Sequence, residues 1–155
     1  MGMSVKALTI FLSGPSEGGR ILPSFISGID HVAITVADLD RATEFYRNVL
    51  GASSVGDYAP DGPVAVRQLS IGGARLNIHR AGNGIWLVAE KPTPGSVDIC
   101  FRWSQPIETA IAHLKEHGVA VIEGPVAREA SDGASGQSVY FRDVDGNLLE
   151  FLTTV

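Results

Sequence analysis

The sequence predicts an α+β fold made of two tandem βαβββ modules. Two runs rich in β-branched residues each precede a segment whose apolar residues follow helical spacing. Three further strand-like runs follow each of those helical segments. The whole pattern also repeats, because Asp98 lies 67 residues after His31 and Gly118 lies 67 residues after Gly51. A constant offset of this kind indicates an internal duplication.

Composition limits the function classes. The chain has 155 residues, of which 45% are hydrophobic and 19% are charged, as in an ordinary globular protein. Its net charge of −5 offers no basic surface for nucleic acid, and the absence of a Lys/Arg run argues against membrane binding. The single cysteine, Cys100, excludes an intrachain disulfide and fits a reducing cytoplasm, where we expect it to be a core residue.

The chain divides into an N-terminal extension and one domain. Residues 1–27 contain an apolar run too short to span a bilayer, followed by a Gly/Ser-rich linker, so we place them outside the core. Residues 28–155 form the predicted domain. Within it, module 1 covers residues 28–80 and module 2 covers residues 96–155, and residues 81–95 connect them.

In module 1 the first strand is predicted within residues 29–36, where β-branched residues dominate. Asp38 or Asp40 is expected to cap a helix, which Gly51 ends in the left-handed conformation. The three strands that follow are predicted at residues 52–58, 64–71 and 74–80.

Module 2 repeats this order. A strand at residues 96–103 leads to a helix that Ser104 and Pro106 open and Gly118 closes. The last two strands meet at Asp145-Gly146, because an Asp-Gly pair between alternating runs is a strong hairpin signal. The strands after the helix are predicted from residue 119 onward and at residues 137–142 and 147–153.

The duplication aligns the polar residues that can carry chemistry. His31 and Asp98 occupy the same position in the first strand of each module, and Asn77 aligns with Glu150 in the last strand. His79 lies two residues beyond Asn77 and shares its strand face. Convergence of these faces would give an imidazole and carboxylate cluster suited to a divalent metal such as Fe, Mn, Ni, Co or Zn.

Five segments carry a family resemblance. DHVAITVADLDRATEFYRNVLG and VYFRDVDGNLLEF resemble the first strand and helix, and the terminal hairpin, of the vicinal oxygen chelate superfamily. That superfamily includes glyoxalases, bleomycin resistance proteins and extradiol dioxygenases. LNIHRAG, PTPGSVDICF and EGPVAR resemble a narrower group, the proteins related to human glyoxalase domain-containing protein 5. The resemblance implies that the two modules form a curved, half-open β-barrel.

The resemblance also implies roles for individual residues. His31 matches the first-strand metal ligand, and Glu150 matches the last-strand ligand and is the expected catalytic carboxylate. Asp98 stands where many members have a His. For the fourth donor we favour His79 over Asn77, because an amide oxygen is a poor ligand for a transition metal.

The function implied is that of a metal-dependent small-molecule enzyme of the glyoxalase or dioxygenase type. Such an enzyme chelates a substrate with two adjacent oxygens, and the chain is expected to form a homodimer in the cytoplasm. The alternative is a non-catalytic protein of the bleomycin-resistance type that sequesters a drug or antibiotic.

Two other features are given no role as metal ligands. His113 and His117 are predicted to be surface residues of the second helix. Residues 131–136 are predicted to form a flap, and Arg128 beside them is a candidate anion contact.

Overall fold

The computed structural model of the protein describes residues 25–155. Most of the predicted N-terminal extension, residues 1–24, lies outside the described residues. The elements that follow have the predicted order, a βαβββ module and then a second one.

Module 1 contains four strands and one helix. Asp38 caps the helix α1, since its carboxylate accepts a hydrogen bond of 2.9 Å from the backbone N–H of Arg41. Gly51 ends the helix with a φ of 64°, the left-handed conformation that favours glycine. The elements are β1 (His31–Val36), α1 (Leu39–Leu50), β2 (Ser53–Tyr58), β3 (Val66–Ile71) and β4 (Ala74–Arg80).

Module 2 has the same composition. Its elements are β5 (Asp98–Arg102), α2 (Ile107–Glu116), β6 (Glu123–Glu129), β7 (Ser135–Arg142) and β8 (Leu148–Thr153). The strand expected from residue 119 begins later, at Glu123, because Val119 and Val121 pack against the core after α2. Residues 131–136, the predicted flap, form the turn between β6 and β7 and the first residues of β7, and the backbone N–H of Ala130 donates to the carbonyl of Ala134.

Each module forms its own four-stranded mixed sheet. The strand orders are β1-β4-β3-β2 and β5-β8-β7-β6. In the first sheet β1 runs parallel to β4, and in the second sheet β5 runs parallel to β8. β1 and β5 are therefore edge strands of separate sheets. The structure confirms the predicted α+β architecture of two βαβββ modules.

The helices cover one face of each sheet, and no helix within residues 25–155 covers the other face, which we call the open face. On the covered face of the first sheet, Ile34, Leu69 and Ile78 pack with Ala42 and Tyr46 of α1. The second sheet packs in the same way on α2, and Val49 of α1 joins that cluster. Because burial on the covered faces is extensive, the polar residues of alternating strand positions are left on the open faces.

A polar contact also joins the two modules. The hydroxyl of Tyr46 in α1 donates to Asp143 Oδ2 at 2.9 Å, and both residues are buried. Asp143 further accepts hydrogen bonds from the backbone N–H groups of Asp145 and Asn147 and from the side chain of Asn147. No helix within residues 25–155 is both long and apolar enough to cross a membrane.

Candidate metal centre

His31, Asn77 and His79 share the open face of the first sheet. In the parallel pairing of β1 with β4, His31 lies opposite Arg75, and Ala33 lies opposite Asn77. His79 lies opposite Thr35, four residues along from the position of His31. A strand rises about 3.3 Å per residue. Along β4, the backbone of Asn77 is therefore about 7 Å from Arg75, the residue opposite His31, and the backbone of His79 is about 13 Å from Arg75.

His31 has one ring nitrogen engaged. Its Nδ1 lies 2.7 Å from Asp30 Oδ1, at the exposed start of β1. A carboxylate partner on Nδ1 favours the tautomer that carries the proton there, which leaves Nε2 with a lone pair. A carboxylate that holds Nδ1 in this way is typical of histidines that ligate metals through Nε2.

Asn77 and His79 each carry a buried polar atom that lacks a hydrogen bond. These atoms are Asn77 Oδ1 and His79 Nδ1, neither of which has a partner among residues 25–155. Burial, and secondly the nearby His31, lowers the pKa of His79. A neutral imidazole and an amide oxygen without partners on one face suit a bound ligand or ion, because buried polar groups normally have a partner.

The second open face carries Asp98, Cys100, Tyr140 and Glu150. Glu150 pairs directly with Cys100 on one side and with Tyr140 on the other. Asp98 pairs with Leu148, two residues before Glu150 in β8. The predicted pair of Asp98 and Glu150 therefore shares one face, with two unpredicted polar neighbours around the glutamate.

Cys100 corrects a prediction, because it is an exposed residue and not part of the core. Ile99 and Phe101 on either side of it pack against the hydrophobic core, so strand alternation turns Cys100 to the open face. Although the residue as a whole is exposed, its thiol group is partly buried against the sheet; this desolvation, and next the charge and hydrogen bonding of Glu150, raises the pKa of Cys100 to about 12. The thiol is therefore protonated at neutral pH in the metal-free protein and contacts the Glu150 carboxylate.

The structure places the predicted ligands on two separate sheets, not in one cluster. His31 and His79 belong to the first sheet, whereas Asp98 and Glu150 belong to the second. Across the described part of the chain, no group of three or more His, Cys, Asp and Glu side chains is close enough to hold a metal ion. Convergence of all four side chains within one chain, as the duplication suggested, is not observed.

The helical histidines have a structural role. His117 is exposed, as predicted, but His113 is half-buried. His113 Nε2 lies 2.8 Å from the carbonyl oxygen of Val49, and its ring stacks on Trp103 with centroids 5.3 Å apart. This contact links α2 to the end of α1 and so stabilises the junction of the modules.

Sequence reasoning missed Tyr140 and Cys100 as neighbours of Glu150. Both follow from strand alternation once the register of β5, β7 and β8 is known. The Asp145-Gly146 signal predicts the β7–β8 hairpin but not its register: a two-residue turn there would place Tyr140 opposite Phe151, whereas the observed connection, residues 143–147, places Tyr140 opposite Glu150. The β5–β8 register has no such local signal, because parallel strands lack a short connecting turn.

Comparison with known proteins agrees with this architecture. Residues 28–151 match the Glyoxalase/Bleomycin resistance protein/Dioxygenase superfamily. The chain therefore belongs to this superfamily, as the resemblance implied.

Individual relatives cover most of the chain. Virulence protein STM3117 from Salmonella typhimurium is 38% identical over 127 residues, which are 81% of this chain and 83% of that protein. Its crystal structure has a TM-score of 0.75 at 36% identity, covering 85% of this chain and 100% of that one. The integron cassette protein VCH_CASS1 of Vibrio cholerae has a TM-score of 0.76 at 36% identity and covers 86% and 100%. Metallothiol transferase FosB from Staphylococcus epidermidis is 32% identical over 137 residues, 83% of this chain and 84% of that protein.

Proposed function

We propose that the protein is a metal-dependent small-molecule enzyme of the glyoxalase or dioxygenase type, within the narrower group related to glyoxalase domain-containing protein 5. Its substrate presents two adjacent oxygens to a divalent metal held by His31, His79, Asp98 and Glu150. The observation that carries the proposal is the pair of open faces. The first carries two imidazoles, together with Asn77 Oδ1 and His79 Nδ1, which have no hydrogen-bond partner among residues 25–155, and the second carries two carboxylates.

The donor set fits a divalent transition metal. Asp30 engages Nδ1 of His31 and leaves Nε2 available as a nitrogen donor, and burial lowers the pKa of His79, which favours its neutral, donating form. The two carboxylates, Asp98 and Glu150, supply negative charge and oxygen donors. Fe, Mn, Co, Ni and Zn all accept such a mixed nitrogen and oxygen set, so the residues do not select one of them.

The complete site is proposed to form between two copies of the chain. The donors within one chain lie on separate sheets, and in the described part of the chain β1 and β5 each have a neighbouring strand on one side only. A two-fold homodimer would place the first open face of one subunit against the second open face of its partner. Closed dimers are the commonest oligomers, and their symmetry would create two equivalent sites.

The bound metal would act as a Lewis acid on a substrate that fills its open positions. The surrounding residues would hold the donors in place. Asp30 fixes the ring of His31, and Cys100 and Tyr140 flank the carboxylate of Glu150. Glu150 is the proposed catalytic residue, because a carboxylate at the reacting oxygens can accept a proton and return it. A cytoplasmic location, with the single cysteine reduced, is part of this proposal.

Metal titration of the purified protein tests the proposal. We expect about one divalent ion per chain, and we expect His31→Ala combined with Glu150→Ala to abolish its binding. His117→Ala is the matched control, since His117 is an exposed histidine that directly follows α2. Retention of the metal by the double variant would refute the assignment.

The fourth donor can be resolved by the same titration. If His79 is a ligand, His79→Ala should weaken binding about tenfold or more, while Asn77→Ala should leave it unchanged. Asn77 lies closer to His31 along the sheet than His79 does, and this shorter distance is the structural argument for Asn77 as the ligand. Weakening by Asn77→Ala alone would replace His79 with Asn77 in the donor set.

A second candidate function is metal-independent binding of an aromatic compound. The observation in its favour is a cavity of about 520 Å³ between the modules, whose lining includes the rings of Phe101, Trp103 and Phe151. Flat rings in a partly apolar cavity suit an aromatic ligand. Tight binding of an aromatic drug to metal-free protein, together with the absence of metal binding, would favour this function over the enzyme.

A further inference from the structure

A separate cavity lies beside Glu150 on the second open face. Its volume is about 410 Å³, which is in the range for a small organic molecule. Glu150, Cys100 and Tyr140 contribute to its lining, together with two arginines that the proposed metal site does not use. The full lining is Cys100, Arg102, Arg128, Glu129, Ala130, Ser131, Tyr140, Glu150 and Leu152.

Arg128 is held in a defined orientation at this cavity. Its Nε donates a hydrogen bond of 2.8 Å to the hydroxyl oxygen of Tyr140, and its Nη1 donates one of 3.0 Å to the carbonyl of Ala127. The guanidinium carbon also lies 5.4 Å from the centre of the Tyr140 ring. These contacts leave N–H groups of Nη1 and Nη2 for a further acceptor.

Arg102 supplies a second guanidinium group at the same cavity. Its Nη2 is 3.1 Å from Thr154 Oγ1 and 3.4 Å from Asp132 Oδ2. Arg102 is thus tethered to the end of β8 and to the β6–β7 turn, with 48% of its side chain exposed. Two tethered arginines in one cavity are notable in a chain whose net charge is −5.

We propose that Arg128, supported by Tyr140 and Arg102, binds an oxyanion group of the ligand in this cavity. The inference rests on the proposed function in that the same molecule would reach the metal beside Glu150 with its adjacent oxygens. The substrate class is therefore a small anion that carries a carboxylate, phosphonate or phosphate next to a pair of chelating oxygens. A planar guanidinium group matches such oxyanions because it offers parallel N–H donors.

Glu150 explains how the two parts of the site depend on each other. Its carboxylate lines the same cavity as Arg128 and repels a second anion when no metal is bound. Neutralising that charge should therefore strengthen anion binding, whereas removing Arg128 should weaken it. A surface arginine without a role in binding would give neither effect.

Ligand-observed NMR on metal-free protein tests the inference, with methylphosphonate and propionate as probes. These two probes distinguish a phosphonate-like from a carboxylate-like preference, and dimethyl methylphosphonate is the neutral control. We expect Arg128→Gln to weaken binding of the preferred anion about tenfold or more, and Arg128→Lys to restore part of it. Glu150→Gln should strengthen binding. Arg142→Gln removes the same charge from the neighbouring strand β7, outside the cavity, and should bind like the wild type.

The outcomes separate this inference from the proposed function. Unchanged anion binding by Arg128→Gln, or equal binding of the neutral ester, would overturn the inference and leave the metal proposal intact. The inference would also be overturned if neither anion binds to the wild-type protein or to the Glu150→Gln protein. Anion binding that depends on Arg128 in a protein that binds no metal would support the inference and refute the proposed enzyme.

Discussion

Replacing Tyr46 with Phe removes a single oxygen from the polar contact between the two modules. Tyr46 is fully buried, and its hydroxyl donates to Asp143, 97 residues further along the chain. Burial, and secondly the charge of Asp143, raises the pKa of Tyr46, so the hydroxyl stays protonated and remains the donor. The substitution leaves the aromatic packing on α1 in place.

The expected cost follows from the bonds that remain. A hydrogen bond to a charged group contributes about 1.5–3 kcal/mol. Asp143 keeps its contacts to two backbone N–H groups and to the side chain of Asn147, so its carboxylate is not left without partners. We therefore expect Tyr46→Phe to lower the free energy of unfolding by about 1.5–2 kcal/mol, the lower part of that range.

Urea unfolding followed by circular dichroism measures this change. Tyr58→Phe is the matched control, because 54% of Tyr58 is exposed and its substitution should alter stability by less than about 0.5 kcal/mol. A Tyr46→Phe protein as stable as the control would refute the view that this hydrogen bond stabilises the contact between the modules.

Two other predictions concern Cys100 and Gly95. Burial and Glu150 hold the pKa of Cys100 near 12, so alkylation of the thiol in the metal-free protein should be slow at pH 7 and become faster as the pH rises. Glu150→Gln should make alkylation faster at every pH below 12. The rates are followed by mass spectrometry, and equal rates in the two proteins would show that Glu150 does not act on the thiol. Gly95→Ala should destabilise the protein by at least about 1 kcal/mol more than Gly84→Ala. The φ angles of the two glycines are 78° and 79°, but only at Gly95 would the new Cβ lie 2.6 Å from a backbone oxygen of the β7–β8 turn. If Gly95→Ala and Gly84→Ala lose the same stability in thermal unfolding, the β7–β8 turn moves away from the new Cβ at residue 95 at no cost, which would contradict this prediction.

Local signals predicted much of the fold. The cap at Asp38, the left-handed end at Gly51 and the hairpin at Asp145-Gly146 each depend on a few adjacent residues, and the structure contains all three. The duplication then supplied the order of the elements, and comparison with the superfamily confirms the fold. The start of β6 was wrong, since a β-branched run after α2 serves the core equally well without strand pairing.

The candidate site was less predictable, because it depends on contacts between distant residues. Alternation correctly placed Asn77 and His79 on one face, but the pairing of His31 with Arg75 sets their distances and has no local signal. Cys100 lies in an apolar run and was assigned to the core, although alternation with Ile99 and Phe101 already indicated the other face. In the proposed homodimer the two open faces meet through contacts between subunits, which no local sequence signal encodes.

Subunit complementation tests the proposed metal site between two chains most directly. One protein carries His31→Ala and the other carries Glu150→Ala, so that neither homodimer contains a complete site. Unfolding and refolding them together at equal amounts should give about half mixed dimers, each with one intact site of two. We expect metal analysis to find binding restored to about a quarter of the wild-type stoichiometry. A mixture that binds no more metal than the separate variants would contradict a site shared between subunits.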